Sequence, residues 1–176
     1  RVAVSVVAIS CLISAPASAY SGGAGTRTSP YLLSSKQDIL ELASRVVGLN
    51  ESFLLTADID MEGAVFDHTL IAPNPYYRYT GCFNGNGHVI ENFSLIGKEV
   101  YGFLGGIGEK GRVILLGLRN VHVDNPNSYG VGILAGANEG DIIGCYVQGS
   151  VAAVGNVGGL VGSHRAGRIL DCFSQG

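Results

Sequence analysis

The chain has 176 residues, which suits one domain, and 47% of them are hydrophobic, which is ample for a core. Its formal net charge is −3 and only 14% of its residues are charged, so it lacks the clustered lysines and arginines that nucleic-acid binding requires. Glycine contributes 27 residues without a three-residue period, which indicates many tight turns rather than collagen or disorder.

Residues 1–19 have the pattern of a cleaved export signal. Arg1 is followed by a mainly apolar run that ends at Ile13, and the small residues Ala17-Ser18-Ala19 form a cleavage site. The run is too short for a membrane span, which needs about 20 residues. Cleavage as a lipoprotein at Cys11 remains an alternative. We therefore expect a secreted or cell-envelope protein without a membrane span in its mature part.

Residues 20–52 are predicted to form an entry segment and one helix. Ser35 is the expected N-cap, and Asp38 is placed to complete a capping box. The apolar residues of the helix recur at helical spacing before Gly48 ends it: Ile39, Leu42, Ala43 and Val46. We expect this helix to cap the first coil of the repeat region, where strand edges would otherwise be unpaired.

Residues 53–176 contain an internal repeat. Glycines are followed by apolar residues at the same offsets: Gly111 by Val113, Leu116 and Leu118; Gly140 by Ile142, Cys145 and Val147; Gly167 by Ile169 and Cys172, with Ser174 in the third place. A looser earlier copy is Ile90, Phe93 and Leu95, after the Gly85-Asn86-Gly87 turn. Repeats of roughly 20–50 residues are typical of solenoids. Because no helical period separates the strands, the pattern predicts an all-β coil. No closing cap follows the last repeat before Gly176, so we expect the coil to continue beyond it.

The equivalent positions of Cys145 and Cys172 allow two interpretations. Stacked strands lie about 4.8 Å apart, which permits a disulfide in an exported protein. Leu116 occupies the same position one repeat earlier and cannot cross-link, which favours an internal ladder of apolar side chains. The cysteine and histidine spacings match no metal site, and we predict neither a metal nor a cofactor.

Motifs for catalysis are weak. The glycines between Gly106 and Gly111 match a dinucleotide fingerprint, but a strand follows them, so a turn is predicted. Asp58, Asp60 and Glu62 alternate on one strand face, either as a solvated surface or as a calcium or acid–base site. The chain contains no HExxH and no Gly-x-Ser-x-Gly sequence, and no catalytic residue is predicted.

The tyrosine-rich segment after Pro75 is the predicted contact surface for a protein or a glycan. It consists of Tyr76, Tyr77, Arg78 and Tyr79. Tyrosines offer flat apolar faces with a polar tip, which suits either partner. The alternative is a loop that packs back over the coil.

The repeats resemble the GLUG-motif family of secreted bacterial repeat proteins. The resemblance is carried by Gly159-Leu160-Val161-Gly162, Gly102-Phe103-Leu104-Gly105 and Ile133-Leu134-Ala135-Gly136. It implies a right-handed parallel β-helix within large exported proteins, including adhesin-like surface proteins and the N-terminal part of some immunoglobulin A peptidases. Repeats of this family carry no catalytic residues of their own.

We therefore predict a non-catalytic, exported β-helix that acts as an adhesion or interaction scaffold and is covalently linked to further domains. Two alternatives remain open. The chain could be a carbohydrate-active β-helix similar to polysaccharide lyases, or an accessory N-terminal region of a larger secreted peptidase.

Overall fold

The computed structural model describes residues 20–176 except Val46 and Pro75, so the predicted export signal lies outside the described residues. The described chain winds into a parallel β-solenoid of about four turns, with one short helix near its beginning. This confirms the predicted all-β fold. No helix among the described residues is long and apolar enough to cross a membrane.

Each turn of the solenoid contributes short strands to stacked parallel sheets. Sheet A consists of β1 Tyr31–Leu33, β2 Phe53–Leu55, β4 Cys82–Asn84, β7 Arg112–Ile114, β11 Asp141–Ile143 and β15 Arg168–Leu170. Sheet B consists of β3 Ile59–His68, β5 Val89–Glu99, β8 Gly117–Asn125, β12 Tyr146–Ala153 and β16 Phe173–Gln175. Sheet C consists of β6 Leu104–Ile107, β10 Ala135–Asn138 and β14 Val161–His164, and sheet D of β9 Val131–Gly132 and β13 Val157–Gly158. The predicted entry segment thus already contains the first strand of sheet A.

The later repeats stack in the predicted register. Val113, Ile142 and Ile169 are aligned in sheet A, and Leu118 and Val147 are aligned in sheet B. Parallel pairing in register places equivalent side chains on the same face of successive coils. The inward positions therefore form continuous apolar ladders, as expected.

The earlier copy was placed in the wrong register. Ile90 pairs with Leu118 in sheet B, and not with the sheet A position of Val113. The offsets of three and five residues from Val113 to Leu116 and Leu118 recur from Leu118 to Val121 and Val123. Apolar spacing alone therefore fits either strand, and only the stacking of the coils distinguishes them.

Aromatic rings fill the centre of the coil. Phe83 lies between Phe53, at a centroid distance of 5.7 Å, and Phe103, at 5.4 Å. Phe103 also contacts Phe93 at 6.3 Å. Because these rings come from four different segments, they tie together sheets A, B and the turn before sheet C.

The structure agrees with the interpretation of Cys145 and Cys172 as a ladder of apolar side chains, since Cys145 is buried and Cys172 packs half-buried against the core. Cys82, Cys145 and Cys172 are free thiols, and the backbone N–H of Cys145 lies 3.3 Å from Sγ of Cys172. Burial raises the pKa of Cys145 to about 12. Cys145 therefore behaves as a small apolar core residue.

The helix α1, Lys36–Ser44, begins with the predicted capping box between Ser35 and Asp38. It ends at Ser44, before the predicted stop at Gly48. The helix packs against β3, which is the outermost strand of sheet B on this side. Lys36 forms an ion pair with Glu62 at 2.8 Å, and Nε2 of His68 donates to the carbonyl of Ala43 at 2.8 Å. The helix thus caps the first coil.

The carboxylate of Asp38 gives this cap a dependence on pH. Burial acts to raise the pKa of Asp38, but hydrogen bonds from the Ser34 and Ser35 backbones and the Ser21 hydroxyl outweigh it and hold that pKa below its usual value. A carboxyl group with a lowered pKa stabilises the fold above its unfolded pKa of about 3.9, and this contribution disappears as the pH falls through the folded value.

We expect Asp38→Asn to lower the free energy of unfolding by about 1 kcal/mol at neutral pH, because it weakens the cap. The difference from the wild type should shrink at acidic pH, as protonation also removes the charge of Asp38 in the wild type. Urea unfolding at both pH values measures this, with the exposed Asp171→Asn as the matched control. A difference that persists undiminished at low pH would contradict this account.

Candidate functional site

The structure divides the predicted tyrosine surface. Tyr76 and Tyr77 are 84% and 53% exposed, whereas Tyr79 is fully buried. Tyr79 forms a β-bridge with Ile107, and its hydroxyl donates to the Glu51 carbonyl at 2.8 Å. Burial raises the pKa of Tyr79 well above its usual value. The prediction was therefore wrong for Tyr79, which belongs to the core because its backbone bridge turns the side chain inward.

We expect Tyr79→Phe to lower the free energy of unfolding by about 1 kcal/mol, since the Glu51 carbonyl loses its donor. Tyr79→Ala should cost about 3–5 kcal/mol, because it also leaves a cavity. Chemical denaturation measures both values. Tyr77→Phe, in the same segment but exposed, is the control and should change little; an equal effect at Tyr77 would argue against the core role of Tyr79.

Arg78 is held by an acidic partner rather than being free for a ligand. Its Nε and Nη2 donate to the two carboxylate oxygens of Glu139, at 3.2 and 3.0 Å. Arg165 approaches the same carboxylate less closely, with Nη1 3.8 Å from Oε1. Because Arg78 occupies both oxygens, Arg165 is the looser partner of Glu139.

Tyr76 contributes to a surface cleft that the sequence did not reveal. The cleft is lined by Tyr76, Tyr129, Gly130, Gly136, Ala137, Asn156, Ser163 and Arg165. Tyr129 is 73% exposed and comes from the turn between β8 and β9. We call this feature the tyrosine cleft. In the sequence, Tyr129 next to Gly130 marks a turn with an aromatic residue, but nothing local connects it with Tyr76.

Neighbouring residues support both tyrosines of the cleft. The side-chain oxygen of Asn74 accepts hydrogen bonds from the backbone N–H groups of Tyr76 at 2.9 Å and Tyr77 at 3.2 Å. The ring of Tyr129 lies against Gly155, where an added Cβ would be 2.2 Å from Cδ1. A flat ring held in place loses little conformational entropy when it contacts a partner.

Gly136, which lines the cleft, has equivalents in the neighbouring coils of sheet C. Leu104, Ala135 and Val161 are aligned in sheet C, so the glycines that follow them are stacked: Gly105, Gly136 and Gly162. A Cβ on Gly105 would lie 2.0 Å from the Ala72 carbonyl oxygen, and one on Gly136 would lie 2.8 Å from the Gly105 oxygen. These positions require glycine because backbone approaches them closely.

The acidic residues of β3 and the segment before it form a solvated outward face. Asp58 and Asp60 are exposed, while Ile59 between them is buried. The amide of Asn92 donates to Asp60 at 2.9 Å, and the amide of Asn120 donates to Asn92 at 2.6 Å. This polar ladder runs across three coils of sheet B and satisfies the side chains within it.

Hydrogen bonds keep both carboxylates ionised. The backbone N–H of Val89 and the ring of His88 lower the pKa of Asp58, and the amide of Asn92 and the backbone N–H of Glu62 lower that of Asp60. Neither group is therefore prepared to donate a proton at neutral pH. Within the described part of the chain, no three histidine, cysteine or acidic side chains converge on a point that could hold a metal ion.

The glycine-rich stretch from Gly106 to Gly111 is a turn, as predicted. β6 ends at Ile107, β7 begins at Arg112, and the N–H of Gly111 donates to the Gly108 carbonyl at 2.7 Å. A dinucleotide site of this type would need a helix at that point.

No family model matches the chain. Among curated proteins, the chain is similar to Halomucin of Haloquadratum walsbyi, with 30% identity over an alignment of 159 residues and a coverage of 84% of this chain. The match covers 2% of that much longer protein. Among solved structures, the chain is similar to a candidate immunoglobulin A1 protease from Bacteroides ovatus, with a TM-score of 0.56 and 17% identity over 87% of this chain and 77% of that one. This likeness shows that the two share the β-solenoid fold.

Proposed function

We propose that this chain is a non-catalytic β-helix module of an exported protein and acts as an adhesion or interaction scaffold. The observation that carries this proposal is the tyrosine cleft, which two exposed aromatic side chains line together with Gly130 and Gly136. Exposed aromatic side chains on rigid backbone are typical of binding surfaces. The stacked coils supply the rigidity, since each coil is hydrogen-bonded to its neighbours in register.

The comparisons support a modular role. The similarity to Halomucin extends over most of this chain but only 2% of that protein, which fits one module in a much longer polypeptide. The GLUG-type repeat and the export signal in residues 1–19 are part of the same proposal. In this proposal the module lies outside the cytoplasm, in the medium or the cell envelope.

A binding experiment tests this function. Fluorescently labelled chain should bind saturably to cells of the producing organism, or to protein or glycan fractions of their envelope. Unlabelled chain should compete, and heat-unfolded chain should not. Failure to bind any of these fractions would count against a scaffold role.

A carbohydrate-active β-helix is the second candidate, and one observation favours it. Glu91 and Arg119 pair at 2.7 Å on the same outward face as Asp60 and His122, so acidic and basic residues cluster on this face. The test is turnover of an acidic polysaccharide, and its loss in the Asp58→Asn, Asp60→Asn double variant. We expect no turnover, because hydrogen bonds occupy both carboxylates. A role as an accessory region of a larger peptidase stays a prediction, since 17% identity to the candidate protease shows the fold alone.

A further inference from the structure

We propose that the tyrosine cleft binds a sugar residue that bears a carboxylate, such as a uronic or sialic acid. This rests on the interaction role proposed above and names the chemical class of its ligand. Three features of the cleft support this ligand: the two exposed tyrosines, the small and polar residues beside them, and the charge of Arg165.

The two exposed tyrosine side chains of the cleft suit a pyranose ring. The C–H groups of a pyranose form an apolar face, which packs against the flat face of a tyrosine ring. Tyr76 and Tyr129 are the most exposed aromatic side chains of the described chain, at 84% and 73%. Both line the same cleft although they are far apart in sequence. Asn74 holds the backbone of Tyr76 and the ring of Tyr129 lies against Gly155, which lowers the cost of ordering them on binding.

The small and polar residues that line the cleft suit the hydroxyl groups of a sugar. Gly130, Gly136 and Ala137 carry little or no side chain, which allows a ring to approach the backbone. Asn156 and Ser163 also line the cleft and carry amide and hydroxyl groups. A small-molecule site typically combines apolar contact surface with a few such polar groups.

The positive charge of Arg165 favours a ligand that carries a carboxylate. Arg165 is the one charged side chain among the described residues that line the cleft, and its side chain is 52% exposed. Glu139 is already bound in bidentate fashion by Arg78, so two arginines and one glutamate leave a surplus positive charge in a chain whose net charge is −3. Guanidinium groups bind carboxylates through paired hydrogen bonds, which neutral sugars cannot accept in the same way.

The test uses the intact chain and nuclear magnetic resonance titration. The probes are methyl β-glucuronide and the methyl glycoside of N-acetylneuraminic acid, with methyl β-glucoside as the neutral counterpart. We expect saturable shifts at the amides of Tyr76, Gly130 and Gly136 with at least one acidic probe. The affinity for the neutral probe should be at least about tenfold lower. Added salt should weaken the binding of the acidic probe.

Matched variants separate the cleft from its surroundings. Tyr129→Ala and Tyr76→Ala should each weaken binding at least about tenfold, while Tyr77→Ala, which is exposed but outside the cleft lining, should not. Arg165→Gln should remove the preference for the acidic probe. Arg168→Gln removes an equally exposed arginine, which pairs with Asp141 instead, and should leave binding unchanged.

Several results would overturn the proposal. One is the absence of cleft shifts with both acidic probes, and another is equal affinity for the neutral glucoside. A third is an equal loss of affinity from Arg168→Gln and Arg165→Gln. If the chain still binds cells in any of these cases, the ligand assignment fails while the scaffold function stands. If the chain binds no cells or envelope fractions, the scaffold function itself fails.

Discussion

Phe103→Ala should lower the free energy of unfolding by about 3–5 kcal/mol, the range for truncating a buried phenylalanine. Phe103 is fully buried, and its ring contacts those of Phe83 and Phe93 at 5.4 and 6.3 Å. Removing it leaves a cavity at the point where segments from sheets A and B meet the turn before sheet C. The neighbouring rings cannot collapse into this space without breaking the register of the coils.

Urea denaturation followed by circular dichroism measures this loss. Phe173→Ala is the matched control, because Phe173 is 58% exposed and stacks only on Tyr146. The control should cost about 1 kcal/mol or less. Comparable losses at the two positions would show that Phe103 does not hold the centre of the coil. If Phe103→Ala does not fold, the milder Phe103→Leu should still be less stable than the wild type.

Gly105→Ala should lower the free energy of unfolding by about 1–3 kcal/mol, the typical cost of an overpacked site. An added Cβ would lie 2.0 Å from the Ala72 carbonyl oxygen and 2.8 Å from the Asn74 carbonyl group, and backbone must move to relieve this. The displaced segment leads directly to Tyr76. The substitution should therefore also disturb the tyrosine cleft, which amide chemical shifts of Tyr76 and Gly136 would report.

Gly48→Ala is the control for this substitution. The nearest atoms to its added Cβ are side-chain atoms of Glu51, at 3.1 Å, which can shift more readily than backbone. We expect a change within about 0.5 kcal/mol and no shift of the cleft amides. If Gly105→Ala proves as mild as Gly48→Ala, close backbone approach is not the reason for the final glycine of the motif.

The winding of the chain and its capping helix were predictable because their signals are local or strictly repeated. The capping box of Ser35 and Asp38 lies within four residues, and the aligned ladder of Val113, Ile142 and Ile169 follows from equal spacing in successive repeats. Periodicity fails where it is degenerate. Ile90 stands at the start of an apolar triplet that fits two strands equally well, and its pairing with Leu118 was therefore missed.

The candidate site was only partly predictable. An exposed Tyr76 and a buried Tyr79 come from one short tyrosine-rich stretch, and no property of that stretch separates them. The burial of Tyr79 is decided by its bridge to Ile107 on the next coil. Tyr129 and Arg165 reach the cleft from later coils, so sequence proximity could not associate them with Tyr76.

The sequence by itself thus determined the class of fold, the inward apolar ladders and the helix that caps the first coil. These depend on the spacing of apolar residues and on contacts between near neighbours. Only the tertiary structure decided the register of the coil that contains Ile90, the burial of Tyr79 and the assembly of the tyrosine cleft. The physical reason is that these features arise between stacked coils, where backbone pairing brings together residues that are distant in sequence and chooses which face each one occupies.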